Sequence, residues 1–178
     1  GEKIIIGWIG SATTVDFLKE MESTIIELTR RFENIEFRVI GSSFSVAGLS
    51  NIISKPWSLS EELEDLKSFD IGIMPMPDDA WTRGKCGFKA ILYMSMGIPV
   101  ICSPVGVNKE IINDGVNGFL ADTQEEWLEK LSHLVDDAHL RRKIGMAGRM
   151  TVEERYSVAV NAPLLLEVIR KVYAQGRG

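Results

Sequence analysis

Apolar residues along the chain occur either in short continuous runs or in longer stretches with helical spacing. Residues 3–9 form a run rich in isoleucine, which predicts a strand buried on both faces of a parallel sheet. Residues 14–32 then place apolar side chains three and four positions apart, which predicts a helix capped by the hydroxyl side chain in front of it. The same two patterns continue down the chain. Further strands are predicted at 36–40, 51–54, 69–74, 99–102 and 118–121.

The predicted helices fall between these strands. They cover 60–67, 88–96, 108–113, 123–135, 138–148, a short piece around Glu153, and 157–174 with Pro163 in its first turns. The stretch 88–96 is apolar almost all round, which predicts a deeply buried helix. Strands that alternate with helices predict an α/β fold with a doubly wound, Rossmann-like parallel sheet. Ligands of such sheets bind beyond the carboxyl ends of the strands, so the loops of interest are 10–14, 54–60, 75–87 and 103–109.

Composition and charge narrow the classes of function. The 178 residues suit one domain spanning 1–178, and no apolar run reaches the roughly 18 residues that a membrane span needs. The hydrophobic fraction of 45% and the charged fraction of 25% are globular values. A net charge of −5 argues against nucleic acid as a partner. Any bound phosphate therefore needs a local cluster of cations.

The cysteines and histidines predict neither disulfides nor a metal site. Cys86 and Cys102 have no CxxC spacing and no signal peptide before them, which indicates a reduced, cytoplasmic compartment. His133 and His139 belong to polar helix surfaces without the pairing that a metal needs. Because strand residues follow Gly1 almost at once, we expect an excised domain.

The strongest chemical feature is the loop 78–87, which leads into the helix that begins at Phe88. Gly84 and Gly87 would let a ligand approach the backbone closely, and a helix start attracts anions. Three cations are predicted to meet there as diphosphate ligands and to act in catalysis: Arg83, Lys85 and Lys89. The alternative is a solvated, charged loop. An ammonium in the first turn of an apolar helix is costly without an anion, which favours the diphosphate site.

Three other segments carry candidate binding residues. Gly10 and Ser11 follow the first strand and could meet a phosphate or a sugar, although a hydroxyl residue there could equally be only a helix cap. Trp57 follows a strand end and could stack on a base or belong to the core. Glu110 could contact a sugar hydroxyl or merely favour the helix dipole. No pair of nucleophile and base stands out, so leaving-group stabilisation is favoured over covalent catalysis.

The segment 89–101, KAILYMSMGIPVI, is similar to the K-x-L-E-Y-M-A-x-G-x-P-V-V signature of the carboxy-terminal domain of GT-B-fold glycosyltransferases of the retaining group 1 family. The segments 103–112 and 114–120 resemble the continuation of that signature, and 144–157 resembles its late stretch. The resemblance covers essentially the whole chain. It implies that the chain is the C-terminal half of a GT-B enzyme.

In that family the domain binds a nucleotide sugar, such as a UDP- or GDP-sugar, with the diphosphate at the helix matching Gly87 and Phe88 onward. The acceptor lies on an amino-terminal domain, toward which helix 157–174 is expected to pack. The resemblance leaves open peripheral association with the inner face of the membrane through that domain. Two glutamates of the family correspond here to Gly84 and Leu92, and the family's basic pair after the first strand is missing.

Three hypotheses follow from these residues. The first is the donor domain of a retaining glycosyltransferase that transfers a sugar to a glycan, a lipid-linked or a small-molecule acceptor, with no metal and no cofactor beyond the nucleotide sugar. As a fragment it is not expected to be active alone. The second is a non-catalytic module that has lost donor use and serves as a scaffold. A nicotinamide-dependent dehydrogenase is disfavoured, because the glycine fingerprint after the first strand is missing.

Overall fold

The structure is a computed structural model that describes residues 3–175. Six strands of this range form one fully parallel sheet in the order β3-β2-β1-β4-β5-β6. The strands are β1 Ile4–Ile9, β2 Ile35–Ile40, β3 Ile52–Lys55, β4 Ile71–Met74, β5 Val100–Cys102 and β6 Phe119–Leu120. The order reverses between β1 and β4. Crossovers on opposite sides of this point carry helices to opposite faces of the sheet.

Helices cover both faces of the sheet. They are a 3-10 helix at Val15–Met21, followed by α1 Glu22–Arg31, α2 Glu62–Lys67, α3 Ala80–Arg83, α4 Phe88–Ser95, α5 Asn108–Ile111, α6 Gln124–Asp136, α7 Ala138–Arg155 and α8 Val158–Gln175. One core joins the sheet to the 3-10 helix, α1 and α6, and the other joins it to α2, α4, α5 and α7. The predicted α/β, doubly wound, Rossmann-like sheet is confirmed.

The first helical segment differs from its prediction in form and in capping. The stretch predicted as one helix is a 3-10 helix followed by α1. Thr14 does not cap it, because its hydroxyl lies 3.3 Å from the Ser11 carbonyl and 3.4 Å from the Ser11 amide nitrogen. The side chain is thus engaged by the preceding turn. The later helix α6 does have an N-terminal cap, a reciprocal pair between Thr123 and Glu126.

The sequence reading missed α3, which we had expected to be loop. Asp79 accepts a hydrogen bond from the Thr82 amide, and the Thr82 hydroxyl accepts one from the Asp79 amide. This capping box fixes a single helical turn. Four residues are too few to show a helical apolar period, so only the capping residues could have indicated the turn.

The prediction of a break near Gly148 was wrong, because α7 runs unbroken to Arg155. A Cβ on Gly148 would lie 3.2 Å from the Met94 side chain, and one on Gly145 would lie 2.0 Å from the Gly97 carbonyl oxygen. Both glycines therefore mark close packing of α7 against α4 and the turn that follows it. They do not mark a helix end.

Two helices differ in burial from what their apolar patterns suggest. α4 was expected to be deeply buried all round, but it buries one face through Ala90, Tyr93 and Met94, while Phe88 is 64% exposed. α8 has no buried residue and packs only against α7 among the elements with several contacts. No helix within residues 3–175 combines the length and the apolar character that crossing a membrane requires.

Candidate functional site

A cleft opens where β1 and β4 separate, at the carboxyl ends of these strands. The two strands pair only through Ile6 with Ile71 and Gly7 with Gly72. Beyond that point the backbone N–H of Ile9 donates to the hydroxyl of Tyr93 at 2.9 Å. Tyr93 lies on α4 and is fully buried, and burial raises the pKa of its hydroxyl. The hydroxyl thereby replaces a missing strand partner and sets α4 against the end of β1.

The cleft measures about 490 Å³. It takes its lining from the β1 loop, the β3 loop, α2 and the start of α4. The lining residues are Ile9, Gly10, Ser11, Thr13, Thr14, Gly41, Trp57, Glu62, Lys85, Phe88, Lys89 and Leu92. It thus occupies the predicted switch-point position. The β1 loop, the β3 loop and the start of α4 had been singled out from sequence, whereas Gly41 after β2 and Glu62 of α2 had not.

The loop after β1 lines the cleft and is closely packed at Gly10. A Cβ on Gly10 would lie 2.4 Å from the buried Trp8 indole and 3.1 Å from the stem of Lys89. The hydroxyls of Ser11 and Thr13 lie 2.8 Å apart and are exposed. The structure thus brings Gly10 and Ser11 to the cleft, while their contact with a ligand stays a prediction.

The start of α4 presents backbone amides with no side-chain cap. Gly87 is the N-cap residue with φ +68°, and a Cβ there would lie 2.4 Å from Ile111. Only glycine therefore fits this position without strain. The positive end of the helix dipole and the uncapped amides favour an anion at this end of the cleft.

Lys89 is a half-buried ammonium without a carboxylate partner. Its Nζ lies 5.6 Å from the centre of the Trp8 ring, and no ion pair involving it occurs among residues 3–175. Burial, together with the nearby charge of Lys85, lowers the pKa of Lys89. A desolvated cation of this kind gains a great deal from an anionic ligand.

Lys85 is held at the mouth of the cleft by aromatic rings. Its Nζ lies 3.8 Å from the centre of the Trp81 ring and 6.0 Å from that of Phe17. The two rings meet edge to face, with centres 6.1 Å apart. An ammonium over an indole face keeps the N–H groups that point away from the ring available to a ligand.

The predicted meeting of three cations holds for Lys85 and Lys89 and is wrong for Arg83. The Arg83 guanidinium donates to Asp78 at 2.6 Å, and this hydrogen bond lowers the pKa of Asp78. Arg83 ends the capped turn α3, which directs its side chain to Asp78 outside the cleft lining. Gly84 caps the end of the same turn and also lies outside that lining.

Glu110 was predicted to reach a sugar hydroxyl, but it is exposed on α5 and does not line the cleft. The short α5 packs Ile111 against Gly87 and leaves the neighbouring Glu110 on the outer side. Trp57 does line the cleft and is 49% exposed, so the core alternative for this residue is wrong.

Glu62 is a cleft residue that sequence reasoning missed. It lies on α2, and its carboxylate accepts a hydrogen bond from the Trp57 indole N–H at 2.5 Å. In the sequence it belongs to an acidic run that looks like an ordinary solvated helix start. The one sequence feature that indicated a partner for Glu62 was Trp57, five residues before it. Elsewhere, the described residues contain no group of three or more His, Cys, Asp or Glu side chains placed to hold a metal ion.

The sheet order and the cleft define a Rossmann-like domain in which Lys85 and Lys89 line a cleft at the switch point. Residues 3–137 match the family model described as Glycosyl transferases group 1, and the chain belongs to that family. The resemblance carried by the segments 89–101 and 103–120 is therefore confirmed.

Curated relatives are similar over part of their length. An uncharacterised glycosyltransferase of Methanocaldococcus jannaschii is 27% identical over 156 residues, covering 80% of this chain and 41% of the relative. Sucrose synthase of Melioribacter roseus is 32% identical over 90 residues, covering 47% and 11% respectively. The chain thus spans less than half the length of these relatives.

Solved structures share the fold. The C-terminal domain of a glycosyl transferase group 1 family protein from Francisella tularensis has a TM-score of 0.71 at 25% identity, with 88% of each chain covered. HepE of Anabaena, solved in complex with UDP and glucose, has a TM-score of 0.79 at 12% identity, with 96% of this chain and 49% of that chain covered. The described domain thus matches a carboxy-terminal domain of this family in extent and architecture.

Proposed function

We propose that this domain binds a nucleotide diphosphate sugar and, in the whole protein, forms the donor-binding part of a glycosyltransferase. The observation that carries the proposal is the unpaired, half-buried Lys89 at the uncapped start of α4. A diphosphate placed there would neutralise the ammonium and accept hydrogen bonds from the backbone amides. The UDP complex of HepE, which has the same fold, supports a nucleotide at such a site.

The chemistry we propose is stabilisation of the leaving group. In sugar transfer the bond between the anomeric carbon and the diphosphate oxygen breaks, and negative charge develops on that oxygen. Lys85, Lys89 and the dipole of α4 are positive groups fixed before the reaction, so they act without reorganisation. We propose that this cluster takes the place of a metal and that the product retains the anomeric configuration.

The acceptor is proposed to be a glycan or a lipid-linked sugar held by an amino-terminal domain. α8 supports such a domain, because it presents a large unpartnered apolar surface. Its exposed apolar side chains include Val158, Val160, Leu164, Leu165, Leu166, Val168, Ile169 and Val172. A surface of this kind in a single helix is typical of an interface. We therefore propose that α8 packs against that domain and that the described domain alone does not turn over.

One observation favours a second candidate, a non-catalytic module. Leu92 lines the cleft where the family usually has a glutamate, and its side chain cannot accept a hydrogen bond. A module that had lost donor use would keep the fold and show no affinity for nucleoside diphosphates.

Calorimetric titration of the isolated domain with UDP and with GDP separates the two candidates. We expect a Kd of about 1 mM or tighter for at least one of them. Lys89→Ala should abolish this binding, since it removes the half-buried cation at the uncapped start of α4. Lys109→Ala is the matched control, because Lys109 is exposed on α5 outside the cleft. If the domain binds neither UDP nor GDP, the donor-domain proposal for this chain is refuted.

A further inference from the structure

The cleft is lined by opposite charges that come from two sides of β1, since β3 and β4 stand on opposite sides of it in the sheet. Lys85 and Lys89 lie at the end formed by α4, while Trp57 and Glu62 come from the β3 loop and α2. Glu62 is the single carboxylate among the described lining residues. A nucleoside diphosphate has a matching arrangement of groups. Its diphosphate is an anion at one end, and its ribose hydroxyls and aromatic base lie toward the other. The question is which part of the nucleoside Glu62 meets.

Glu62 differs from the acids around it. Four acidic side chains lie close together at the start of α2, and three are ion-paired: Glu61 and Asp65 with Lys55, and Glu64 with Lys67. In the described part of the chain, Glu62 forms no ion pair and accepts a hydrogen bond from the Trp57 indole. A carboxylate has about four acceptor sites, so most of its capacity is left for a ligand.

The indole N–H fixes the position of this carboxylate. An indole N–H lies in the plane of its ring, so a carboxylate that accepts it at 2.5 Å lies beside the ring rather than above its face. Trp57 is about half exposed and lines the cleft, so its side chain is accessible to a base that enters the cleft. When a base stacks on that face, the ribose attached to it projects beyond the ring edge.

We infer that Glu62 is the ribose-recognition residue of this cleft, accepting hydrogen bonds from the 2′- and 3′-hydroxyls while Trp57 stacks on the base. This inference rests on the proposed function, since it assumes a nucleoside diphosphate as the ligand. Trp57 then has two roles, as a stacking surface and as the positioning residue of Glu62. Leu92, an apolar neighbour in the same lining, supplies no competing acceptor.

The test compares UDP with 2′,3′-dideoxy-UDP by calorimetry on the wild-type domain, Glu62→Ala and Glu61→Ala. Wild type should bind UDP about tenfold more tightly than the dideoxy analogue, as expected for loss of hydrogen bonds to a charged acceptor. Glu62→Ala should weaken UDP about tenfold and leave the analogue unchanged. Glu61→Ala is the matched control, because Glu61 is the adjacent acid outside the cleft lining, and it should keep the wild-type ratio.

Two further arms sharpen the assignment. Trp57→Phe keeps an aromatic face but removes the indole N–H that positions Glu62. It should therefore reduce the affinity for UDP more than the affinity for 2′,3′-dideoxy-UDP. The ratio of the affinity for GDP to that for 2′,3′-dideoxy-GDP should match the ratio measured with UDP and its analogue. An effect of Glu62→Ala on one base alone would overturn ribose recognition in favour of base recognition. Equal loss for UDP and its dideoxy analogue would also overturn it.

The two proposals fail in different ways. If wild type binds neither UDP nor GDP, the proposed function fails. If wild type binds UDP with dependence on Lys89, while Glu62→Ala leaves the ratio of UDP to the analogue unchanged, only the role of Glu62 is refuted. Thermal unfolding of each variant before titration shows that the measured changes come from folded protein.

Discussion

Lys89 stands in a position that is costly without a ligand. Its ammonium is half-buried beside an indole ring and near Lys85, and its pKa is lowered by burial first and by Lys85 second. In the unbound domain the charged form is therefore destabilised relative to the unfolded chain. A binding site with such a group is expected to lower the free energy of unfolding of the unbound domain while it raises the affinity for the ligand.

Replacing Lys89 with Met should stabilise the unbound domain. The substitution keeps the apolar stem against Gly10 and removes the unpaired charge, so we expect a gain of about 1 kcal/mol in the free energy of unfolding. Urea denaturation at neutral pH measures this gain, and titration with UDP should show that binding is lost. Lys109→Met should change neither quantity. A loss of stability in Lys89→Met would contradict the unpaired-charge account.

Affinity for UDP should fall at alkaline pH, and earlier than an ordinary lysine would dictate. The ammonium form of Lys89 binds the diphosphate, so affinity is present below the pKa of Lys89 in the folded domain and is lost as pH rises through it. That pKa is lowered from 10.5, which places the loss below the usual lysine range. Titrations above about pH 7, where the terminal phosphate of UDP is ionised, measure this effect.

Lys89→Arg is the control for this pH dependence. A guanidinium stays charged over the whole range, so affinity in this variant should not decline in the window where the wild type loses it. A decline at the same pH in both proteins would show that another group titrates.

At the scale of elements, α4 and α8 use apolar residues in opposite ways. α4 buries one face and turns the other to the cleft, because Tyr93 joins it to the end of β1 and Gly148 of α7 packs against Met94. α8 is equally apolar on much of its surface, but α7 is the one element against which it packs extensively in the described chain. α4 therefore contributes to the stability of this domain, and α8 does not.

Removal of α8 should leave the domain folded. A chain that ends at Ser157 loses no side chain that is buried within the described residues 158–175, so its free energy of unfolding should change by less than about 1 kcal/mol, with the Kd for UDP unchanged. Urea denaturation and calorimetry measure both. As a contrast, a chain that ends at Met146 loses buried Gly148 and Val152 of α7 and should unfold. Unfolding of the longer fragment would show that α8 belongs to the domain core.

At the scale of the whole molecule, a ligand in the cleft should stabilise both halves of the sheet together. The cleft is lined by segments that follow β1, β2 and β3 and by α2 and α4, so its lining comes from both sides of the switch point between β1 and β4. A ligand at a hundred times its Kd adds about 2.7 kcal/mol to the free energy of unfolding. For a domain of this size, that is a rise in Tm of about 5–10 °C.

Thermal scans with UDP, with uridine and without ligand measure this rise. Uridine lacks the diphosphate that Lys89 would bind, so at the same concentration it should shift Tm far less than UDP. Equal shifts would mean that the cations of α4 take no part in binding.

The sequence by itself determined the fold class and the edge of the sheet where the cleft lies. Short isoleucine-rich runs alternate with helical periods, and this alternation constrains the chain to a parallel sheet with helices on both faces. The family signature in 89–101 was likewise legible, as were Lys85, Lys89, Trp57 and Gly10 as cleft residues. These features depend on local pattern and on residues adjacent to strand ends.

Only the tertiary structure decided which side chains share the cleft. Arg83 looked equivalent to Lys85 in the sequence, but the capped turn α3 carries it to Asp78 instead. Glu62 looked like any acid of a helix start, yet the course of the β3 loop brings Trp57 to it. The physical reason is that direction and pairing of a side chain depend on contacts between segments far apart or on turns too short to show a period. Spacing along the chain does not encode such contacts.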